Sequence, residues 1–454
     1  MLARLSLLAA AAAAAIAVFR IMVAAVPEPY MDEIFHIPQA QRYCHGNWSY
    51  YDPKLTTPPG LYVISLGFVA PITALIDPCS TNSLRAVNIA FYIVNVLVVT
   101  SLLKRFWGGL PMRNMIEAII ISSFPVLYFF NFLYYTDAGS TCFTLVAFWL
   151  SMKDHHVFSA WFSLVAMTFR QTNVIWMMFG AAIAVVRHLS DKDNSVTKGK
   201  LSTNLSFGNL GYLVYLCYAN LLYLLTLMWP YLIAMVLFVS YIIWNGGIVI
   251  GDKSNHVAQT HVMQLLYFVG FATCFLAPTS NLHENVPRFF RQLSKSVRSP
   301  LGFTGIFVAL LLISFLIARF TIEHPFLLAD NRHFTFYIWK YVFRSNQFFR
   351  YALIPAYLFA CWLCWRQMAL ASSGIAAMIF FVCVALTLVP SPLLEFRYFI
   401  IPYLLLRLHV RPSSVGLLAE FLLYTIVNAF TVWLFVSRPF EWSSEPGKKQ
   451  HFMY

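Results

Sequence analysis

Long apolar runs are the feature that most constrains the fold of this 454-residue chain. The first run covers residues 5–26, is interrupted only by Arg20, and is long enough to span a bilayer as a helix. Further runs cover residues 85–103, 115–131, 139–152, 156–169, 171–187, 219–244, 259–277, 301–318, 351–366, 371–389, 398–408 and 415–436. In lipid, helices satisfy every backbone hydrogen bond within one segment. The sequence therefore predicts an all-α polytopic membrane protein.

Composition supports a lipid environment and excludes two classes of soluble protein. Apolar residues make up 60% of the chain and charged residues only 11%, whereas soluble domains carry roughly 25% charged residues. This excludes an ordinary soluble enzyme. The net charge of +13 is spread singly or in small groups between apolar runs, unlike the dense basic patch of a nucleic-acid-binding domain. We therefore expect membrane lipid, and no nucleic acid, as a partner.

The lengths of the runs predict about 11–14 transmembrane helices in a single domain covering residues 1–454. Runs of about 11–15 residues are short for a span, so some are expected to be half-helices around an internal cavity. The first run fits a retained anchor better than a cleaved signal peptide, although both remain open. Residues 58–75 are punctuated by Pro58, Pro59, Gly60 and Pro71 and are expected to lie in the membrane interface.

This arrangement assigns sides to the connecting segments. Residues 27–84 become a first lumenal loop, residues 188–218 a cytoplasmic loop and residues 319–350 a second lumenal loop. The basic groups around residues 104–113, 187–200 and 288–298 then face the cytoplasm, as the positive-inside rule prefers. Asn47, in an Asn-x-Ser sequon, would face the glycosylating compartment, and Cys44 and Cys79 leave a lumenal disulfide as an open alternative.

The densest polar segment of the chain, Glu28 to His36, follows the first run directly. In one interpretation it is a solvated loop whose Asp32 caps a short helix. In the other, a carboxylate in a partly dry cleft takes a proton from a substrate hydroxyl. Successive residues cannot face the same side of a helix, so Asp32 and Glu33 are expected to have different roles.

A second polar segment, residues 323–340, places Arg332, His333 and Lys340 among aromatic residues just beyond a run. It could be an interfacial helix with an aromatic belt and snorkelling cations. It also has the donors of an anion site, because guanidinium and ammonium groups suit a phosphate.

Isolated charges mark three further places. Arg170 lies between two runs, Asp137 ends a short turn, and Glu395 and Arg397 are only two residues apart. That spacing predicts that Glu395 and Arg397 pair poorly if they share a helix. Hydrophilic segments contain no metal-ligand spacing, so no metal or other cofactor is expected.

Several long strings of residues resemble one known family. They are YMDEIFHIPQAQRYC (30–44), TTPPGLY (56–62), FLYYTDAGS (132–140), FRQTNVIW (169–176), NGGIVIGD (245–252), HPFLLADNRHFTFYIWK (324–340) and LLEFRYFIIPY (393–403). They resemble the dolichyl-phosphate-glucose-dependent α-1,2-glucosyltransferases of the endoplasmic reticulum, which belong to the glycosyltransferase C superfamily. The resemblance runs nearly end to end, with a shorter loop at 188–208 and an alanine-rich start as departures.

The resemblance implies a multi-pass protein of the endoplasmic reticulum membrane with a C-type helical bundle and a lumenal active site. It implies inverting transfer of glucose from dolichyl phosphate β-D-glucose to the terminal glucose of Glc2Man9GlcNAc2-PP-dolichol, in α-1,2 linkage, the last step of lipid-linked oligosaccharide assembly for N-glycosylation. Donor and acceptor are thus the expected partners. A transporter or a non-catalytic membrane scaffold that modulates a channel is the alternative, but no inverted repeat is visible.

The resemblance also implies roles for particular residues. An acidic residue of the first lumenal loop is the base in this superfamily, which implies Asp32 as the base and Glu33 as the neighbour that orients Asp32 or the acceptor. The leaving phosphate needs cations more than a general acid, which favours Arg332 and His333, with Lys340, Arg170 and Arg397 as further candidates. Substrate contacts are expected from Tyr30, His36, Asp137, Asp330, Asn331 and Glu395.

Overall fold

The chain is helical along most of its length in the computed structural model, which describes residues 2–69, 77–192, 207–251, 253 and 259–454. The helices are α1 Leu2–Ala25, α2 Glu33–Cys44, α3 Gly60–Val69, α4 Thr81–Trp107, α5 Pro111–Ser122, α6 Pro125–Phe130, α7 Thr136–Met152, α8 His156–Phe169, α9 Asn173–Lys192, α10 Phe207–Ala219, α11 Leu221–Asn245, α12 Met263–Leu276, α13 Leu282–Val297, α14 Pro300–Phe320, α15 Pro325–Ala329, α16 Phe334–Ile338, α17 Gln347–Ala352, α18 Ile354–Ala371, α19 Gly374–Leu388, α20 Ile400–Leu408 and α21 Ser414–Ser437.

Three short elements complete the description. A π-helical turn covers Trp339–Phe343, a 3-10 turn covers Phe396–Phe399, and an antiparallel hairpin of β1 Phe440–Trp442 and β2 Glu445–Gln450 follows α21.

Seven helical segments in the described part of the chain are long and apolar enough to cross a membrane. They are Leu2–Ala25, Thr81–Trp107, Asn173–Asp191, Leu221–Asn245, Pro300–Phe320, Gln347–Ala371 and Ser414–Ser437. Shorter apolar helices, α3, α8, α12 and α19, have 10 to 17 residues. Helix α8 matches the short run 156–169, whereas α12 and α19 are shorter than the runs 259–277 and 371–389. Large apolar side chains such as Leu301 and Trp244 are more than four-fifths exposed, which suits contact with lipid. The prediction of an all-α polytopic membrane protein is confirmed.

The described residues group into two compact units. The first unit takes its described residues from 1–198, 207–257 and 427–437, and the second takes them from 258–426 and 438–454. Helix α21 contributes its beginning to the second unit and its end to the first.

The core of the first unit forms around α7, which packs against α4, α8 and α9. Helix α3 packs against α2, α4 and α8, and its buried Leu61 and Tyr62 join the core. This close packing requires glycine at Gly60, because a Cβ atom there would lie 2.1 Å from Thr168 Oγ1 and 2.7 Å from the Thr168 carbonyl carbon. The backbone atom cannot rotate away, so α3 approaches α8 only without a side chain at this position.

The second unit contains α12 packed against α18 and α19, and a buried ion pair between α20 and α21. Arg407 donates from Nε and Nη2 to the two carboxylate oxygens of Glu420 at 2.6 and 2.7 Å, and both side chains are fully buried. Buried charges of this kind are stable only in a pair with satisfied hydrogen bonds.

The predicted loop at 27–84 contains the helices α2 and α3. Cys44 and Cys79 form a disulfide, with their Cα atoms 6.1 Å apart, and so join the end of α2 to the segment before α4. Of the predicted interfacial segment 58–75, Gly60–Val69 is α3, and residues 70–76 lie outside the described residues.

Helices also extend into the other two predicted loops. In the segment 188–218, α9 continues to Lys192 and α10 begins at Phe207, while residues 193–206 lie outside the described residues. The segment 319–350 includes the end of α14, the short helices α15, α16 and α17, and the π-helical turn.

Candidate active site

A strained turn connects α1 to α2 and carries the two adjacent carboxylates. The Glu33 N–H donates to the Tyr30 carbonyl at 3.1 Å, and Met31 between them has a φ of 56°. A non-glycine residue in this left-handed region costs about 1–2 kcal/mol. Such strain persists where the surrounding structure fixes the backbone, and it concentrates at functional sites. The turn that presents Asp32 is thus held by its tertiary contacts.

Glu33 is held inside the first unit by a buried ion pair with Arg85 of α4. Arg85 Nε and Nη2 donate to the two Glu33 carboxylate oxygens at 2.8 and 2.6 Å, and the exposed fractions of the side chains are 1% and 0%. The Tyr30 and Tyr134 N–H groups donate to the same carboxylate. Arg85 also donates to the Val26 carbonyl at 2.7 Å. This pair therefore ties the end of α1 to α2 and α4.

Asp32 has a different environment from its neighbour. Its side chain is partly exposed, and its backbone N–H donates to the Tyr135 hydroxyl at 3.1 Å. Asp32 precedes α2 at the capping position, but its side chain accepts no capping hydrogen bond. The capping interpretation is therefore wrong. Of the two carboxylates, Asp32 has the accessibility that contact with a substrate requires, whereas Glu33 does not.

Tyr30 and His36 lie beside these acids and are largely buried. The His36 Nδ1 atom is 2.7 Å from the Tyr62 hydroxyl, and its ring lies 6.1 Å from the ring of Tyr135. The ring of Tyr30 packs edge-on against Phe435 at 5.9 Å. These contacts pack the two ends of the turn against neighbouring aromatic side chains of the first unit.

Asp137 and Arg170 form an ion pair in the first unit. Asp137 lies in the first turn of α7 and Arg170 follows α8, with Arg170 Nη2 2.9 Å from the Asp137 carboxylate. Arg170 Nε also donates to Thr136 Oγ1 at 3.3 Å. Tyr135, whose hydroxyl accepts from the Asp32 N–H, lies two residues before Asp137, so one short segment of the chain makes both contacts.

In the second unit, Arg332 and Asp330 form a two-pronged ion pair. Arg332 Nε and Nη2 donate to the two Asp330 oxygens at 2.8 and 2.7 Å. Burial raises the pKa of the Asp330 carboxyl, but the hydrogen bonds from Arg332 outweigh it and hold that pKa below its usual value. The guanidinium is therefore fixed in orientation at any pH near neutrality.

The end of the hairpin and the residues that follow it hold the loop around Arg332 in place. Met453 N–H donates to the Arg332 carbonyl at 2.9 Å, and Phe334 N–H donates to the Met453 carbonyl at 3.0 Å. His333 Nδ1 donates to the Tyr454 carbonyl at 2.7 Å, which fixes the proton on that nitrogen because a carbonyl only accepts. Arg332 Nη1 donates to Gln450 Oε1 at 3.0 Å.

Trp442 of β1 makes two further contacts with the same loop. Its indole N–H donates to Asn331 Oδ1 at 2.7 Å, and its ring lies 4.6 Å below the Arg332 guanidinium. We call residues 440–454 the C-terminal clamp. It contacts each of the predicted site residues Asn331, Arg332 and His333.

Glu395, Arg397 and Lys340 have separate contacts. Poor pairing of Glu395 and Arg397 is expected only on a shared helix, and in the structure Arg397 Nε donates to Glu395 Oε2 at 3.0 Å. The backbone at Glu395 is extended rather than helical, so the spacing rule for helices does not apply. Lys340 is exposed on the π-helical turn, with its ammonium 5.5 Å from the rings of Phe336 and Tyr341.

Sequence reasoning missed three sets of residues. Arg85 had a signal, because a charge at the start of an apolar run needs a buried partner. The C-terminal clamp had no signal in the sequence, because its contacts with residues 331–333 join parts of the chain that are more than a hundred positions apart. No metal-ligand spacing was visible in the sequence, yet the ligand atoms of Asp154, His156 and His188 lie within 4.8 Å of one another.

The chain is similar to known proteins over nearly its whole length. Residues 26–408 match the model of the DIE2/ALG10 family. Human and mouse proteins named Dol-P-Glc:Glc(2)Man(9)GlcNAc(2)-PP-Dol alpha-1,2-glucosyltransferase are 37% and 38% identical, over 95% of this chain and 94% of theirs. The Arabidopsis thaliana protein of the same name is 33% identical over 93% of this chain and 94% of its own. No solved structure matches the chain. The match to the family model and the identity to these relatives show that this chain belongs to the DIE2/ALG10 family.

Proposed function

We propose that this protein transfers glucose from dolichyl phosphate β-D-glucose to the terminal glucose of dolichol-linked Glc2Man9GlcNAc2, in α-1,2 linkage. The names of its relatives state this acceptor and this linkage. The strongest structural support for the proposal is the difference between the two adjacent carboxylates. Of two adjacent carboxylates, Glu33 is fully buried in an ion pair, while Asp32 is presented beside it on a strained turn.

Asp32 acts as the general base in this proposal. The acceptor hydroxyl oxygen attacks the anomeric carbon of the donor glucose as its proton passes to Asp32. The bond from that carbon to the phosphate oxygen breaks, and dolichyl phosphate leaves. One in-line displacement of a β-linked donor gives an α-linked product, and charge builds on an oxocarbenium-like sugar.

Glu33 acts on the reaction only by fixing the position of Asp32. Its carboxylate accepts from Arg85 and from the N–H groups of Tyr30 and Tyr134, so it joins the turn that contains Asp32 to α4 and to the segment before α7. This supports the orienting role over contact with the acceptor. Tyr30 and His36 support the same turn.

Arg332 and His333 hold the donor phosphate in this proposal. A leaving phosphate is stabilised by fixed cations and N–H donors, which cost no rearrangement during the reaction. Asp330 and the C-terminal clamp fix the Arg332 guanidinium, which suits that task. Lys340, Arg170 and Arg397 remain further candidates for the phosphate, and Asp137, Asn331 and Glu395 for substrate contacts.

The proposal places the protein in the endoplasmic reticulum membrane with its active site on the lumenal side. Dolichyl phosphate glucose and the diglucosylated dolichol-linked oligosaccharide are its partners. A non-catalytic membrane scaffold would have no need of Asp32, and neither a scaffold nor a transporter would transfer glucose, so a transfer assay separates both alternatives from the enzyme.

The test is glucose transfer in microsomes from cells that lack the endogenous activity. Asp32→Asn and Asp32→Ala should lower kcat by about 10²–10⁴-fold, the usual contribution of a general base, with normal membrane insertion. Glu28→Gln is the matched control, because Glu28 is exposed in the same segment. Full activity of the inserted Asp32 variants would remove the base assignment, and no transfer by the wild type would remove the enzyme function.

A further inference from the structure

Arg170 lies between α8 and α9, and a second polar cluster lies at the opposite ends of these two helices. Asp154 is in the turn between α7 and α8, His156 is the first residue of α8, and His188 is near the end of α9. Arg170 follows the other end of α8, whose 14 residues span about 21 Å. The cluster is therefore separate from the candidate active site.

The backbone at Asp154 of this cluster has a left-handed conformation, which is uncommon for a residue other than glycine. Asp154 has a φ of 64°, and its tight turn is closed by a hydrogen bond from the His155 N–H to the Leu150 carbonyl at 3.0 Å. Aspartate tolerates the left-handed region better than most residues, but it is still an outlier there. The turn directs the Asp154 carboxylate towards the two histidines.

The three side chains present ligand atoms at metal-site spacing. His188 Nε2 and His156 Nε2 lie 2.9 and 3.6 Å from Asp154 Oδ1, and ligands of a tetrahedral zinc ion are about 3.3–3.5 Å apart. His156 Nε2 is buried and has no hydrogen-bond partner. A buried nitrogen of this kind is costly unless something binds it.

Two tyrosines of α11 orient the histidine rings. The Tyr231 hydroxyl lies 3.1 Å from His156 Nδ1, and the Tyr223 hydroxyl lies 3.2 Å from His188 Nδ1. Metal-binding histidines usually have their second ring nitrogen fixed by such a partner. With the Nδ1 protons donated to the tyrosines, both Nε2 lone pairs face the carboxylate, an arrangement that a cation stabilises.

We propose that Asp154, His156 and His188 bind a divalent transition-metal ion, zinc by the chemistry of the ligand set. Two imidazoles and one carboxylate are a known zinc combination with one position left for water. Arg187 pairs with Asp154 and donates to the Met152 carbonyl at 2.6 Å. Arg187 Nη2 contacts Asp154 Oδ1, the same oxygen that faces the two histidines. Binding of the ion at Oδ1 therefore requires the Arg187 guanidinium to move to Oδ2, while Nη1 keeps the Met152 carbonyl. The ion would join the α7–α8 turn to α9 and so stabilise this end of the bundle.

The test is zinc binding to the purified full-length chain in detergent, measured by titration against a chromophoric zinc indicator. The wild type should bind one equivalent of zinc, and His156→Gln and His188→Gln should each weaken binding at least about 10-fold. Tyr231→Phe keeps the packing and removes the orienting hydroxyl, so it should weaken binding by about 10–100-fold. His155→Gln is the matched control, because this adjacent histidine is exposed and lies outside the cluster.

Two further readouts keep a folding defect separate from lost binding. The thermal midpoint of each variant is measured without zinc, and zinc should raise that midpoint for the wild type and for His155→Gln only. Cobalt should give a visible absorption band with the wild type that His188→Gln lacks. The proposal is overturned if the wild type binds no zinc, if His156→Gln and His188→Gln bind like the wild type, or if His155→Gln loses as much binding as they do.

Discussion

Glu33 and Arg85 illustrate how a buried charge depends on its partner. Each side chain is excluded from solvent and bonded to the other, and Arg85 also satisfies backbone carbonyls at the end of α1. Removing one member of such a pair leaves the other charge buried without compensation, which typically costs about 3–5 kcal/mol. Removing both costs less, because no bare charge remains. The local order around Asp32 thus depends on a residue of another helix.

We therefore predict that Arg85→Met and Glu33→Gln each lower the free energy of unfolding by about 3–5 kcal/mol. The double variant Glu33→Met with Arg85→Met should lose less than the sum. Thermal unfolding in detergent measures all three, with Glu28→Gln as an exposed carboxylate control. Additive losses would show that the two side chains do not act as a pair.

At the scale of elements, the packing of α3 against α8 depends on one glycine. Gly60 and Gly67 lie on the same helix, but a Cβ atom at Gly60 would overlap Thr168, whereas one at Gly67 would meet nothing within 4 Å. The same substitution therefore has opposite expected effects at two positions of one helix.

Gly60→Ala should destabilise the protein by about 1–3 kcal/mol, because α3 must move away from α8. Gly67→Ala should be neutral or stabilise α3 by about 0.5–1 kcal/mol, through its better helix propensity. The thermal midpoints of the two variants, compared with that of the wild type, check this prediction. Equal effects of the two substitutions would mean that α3 does not pack closely on α8.

A second element, the C-terminal clamp, shows how a short hairpin can order a distant loop. Its backbone pairs with residues 332–334, and its side chains Gln450 and Trp442 contact Arg332 and Asn331. The loop alone has few residues with which to fix a guanidinium. Donor recognition should accordingly be sensitive to residues more than a hundred positions away from Arg332.

Arg332→Ala should lower kcat/KM for the donor by a factor equivalent to about 1.5–3 kcal/mol, as for a lost hydrogen bond to a charged group. Gln450→Ala should act in the same direction but by less, raising KM for dolichyl phosphate glucose more than it changes kcat. Lys449→Ala is the control, because Lys449 is exposed on the same strand. An unchanged donor response in Arg332→Ala would remove its role with the phosphate.

At the scale of the whole molecule, orientation in the membrane connects the charge distribution to the proposed chemistry. The positive-inside rule favours a lumenal position for the segment after α1, which we therefore expect. Asn47 is exposed in this segment, close to the disulfide that joins Cys44 to Cys79. A lumenal position would make this sequon accessible to the glycosylating machinery.

We predict that Asn47 is glycosylated in cells. Endoglycosidase treatment should therefore increase the electrophoretic mobility of the wild type, and Asn47→Gln should migrate like the treated protein without any further shift. A wild type that does not shift would argue against a lumenal, glycosylated Asn47. A second Asn-x-Ser sequon, at Asn204, lies in the segment 188–218 that is predicted to face the cytoplasm. Attachment of glycan at Asn204 instead of Asn47 would reverse the predicted orientation.

Helices were the most predictable part of this fold, because apolar length is a local property of the chain. Segment ends were less predictable: α9 continues through residues expected to form a loop, and the hairpin at 440–450 had no signal. The residues of the candidate site could be named, but their environments could not. Arg85 lies 52 positions from Glu33, and Gln450 lies 118 positions from Arg332.

The sequence by itself determined a lipid-embedded helical protein with an acid pair after its first helix and a cation-rich loop near residue 332. Only the tertiary structure decided that Glu33 is buried and Asp32 presented, that Glu395 and Arg397 pair, and that the C-terminal clamp holds Arg332. The physical reason is that the hydropathy of a segment depends only on the residues within that segment. Burial, ion pairing and hydrogen bonding depend instead on which distant residues folding brings together.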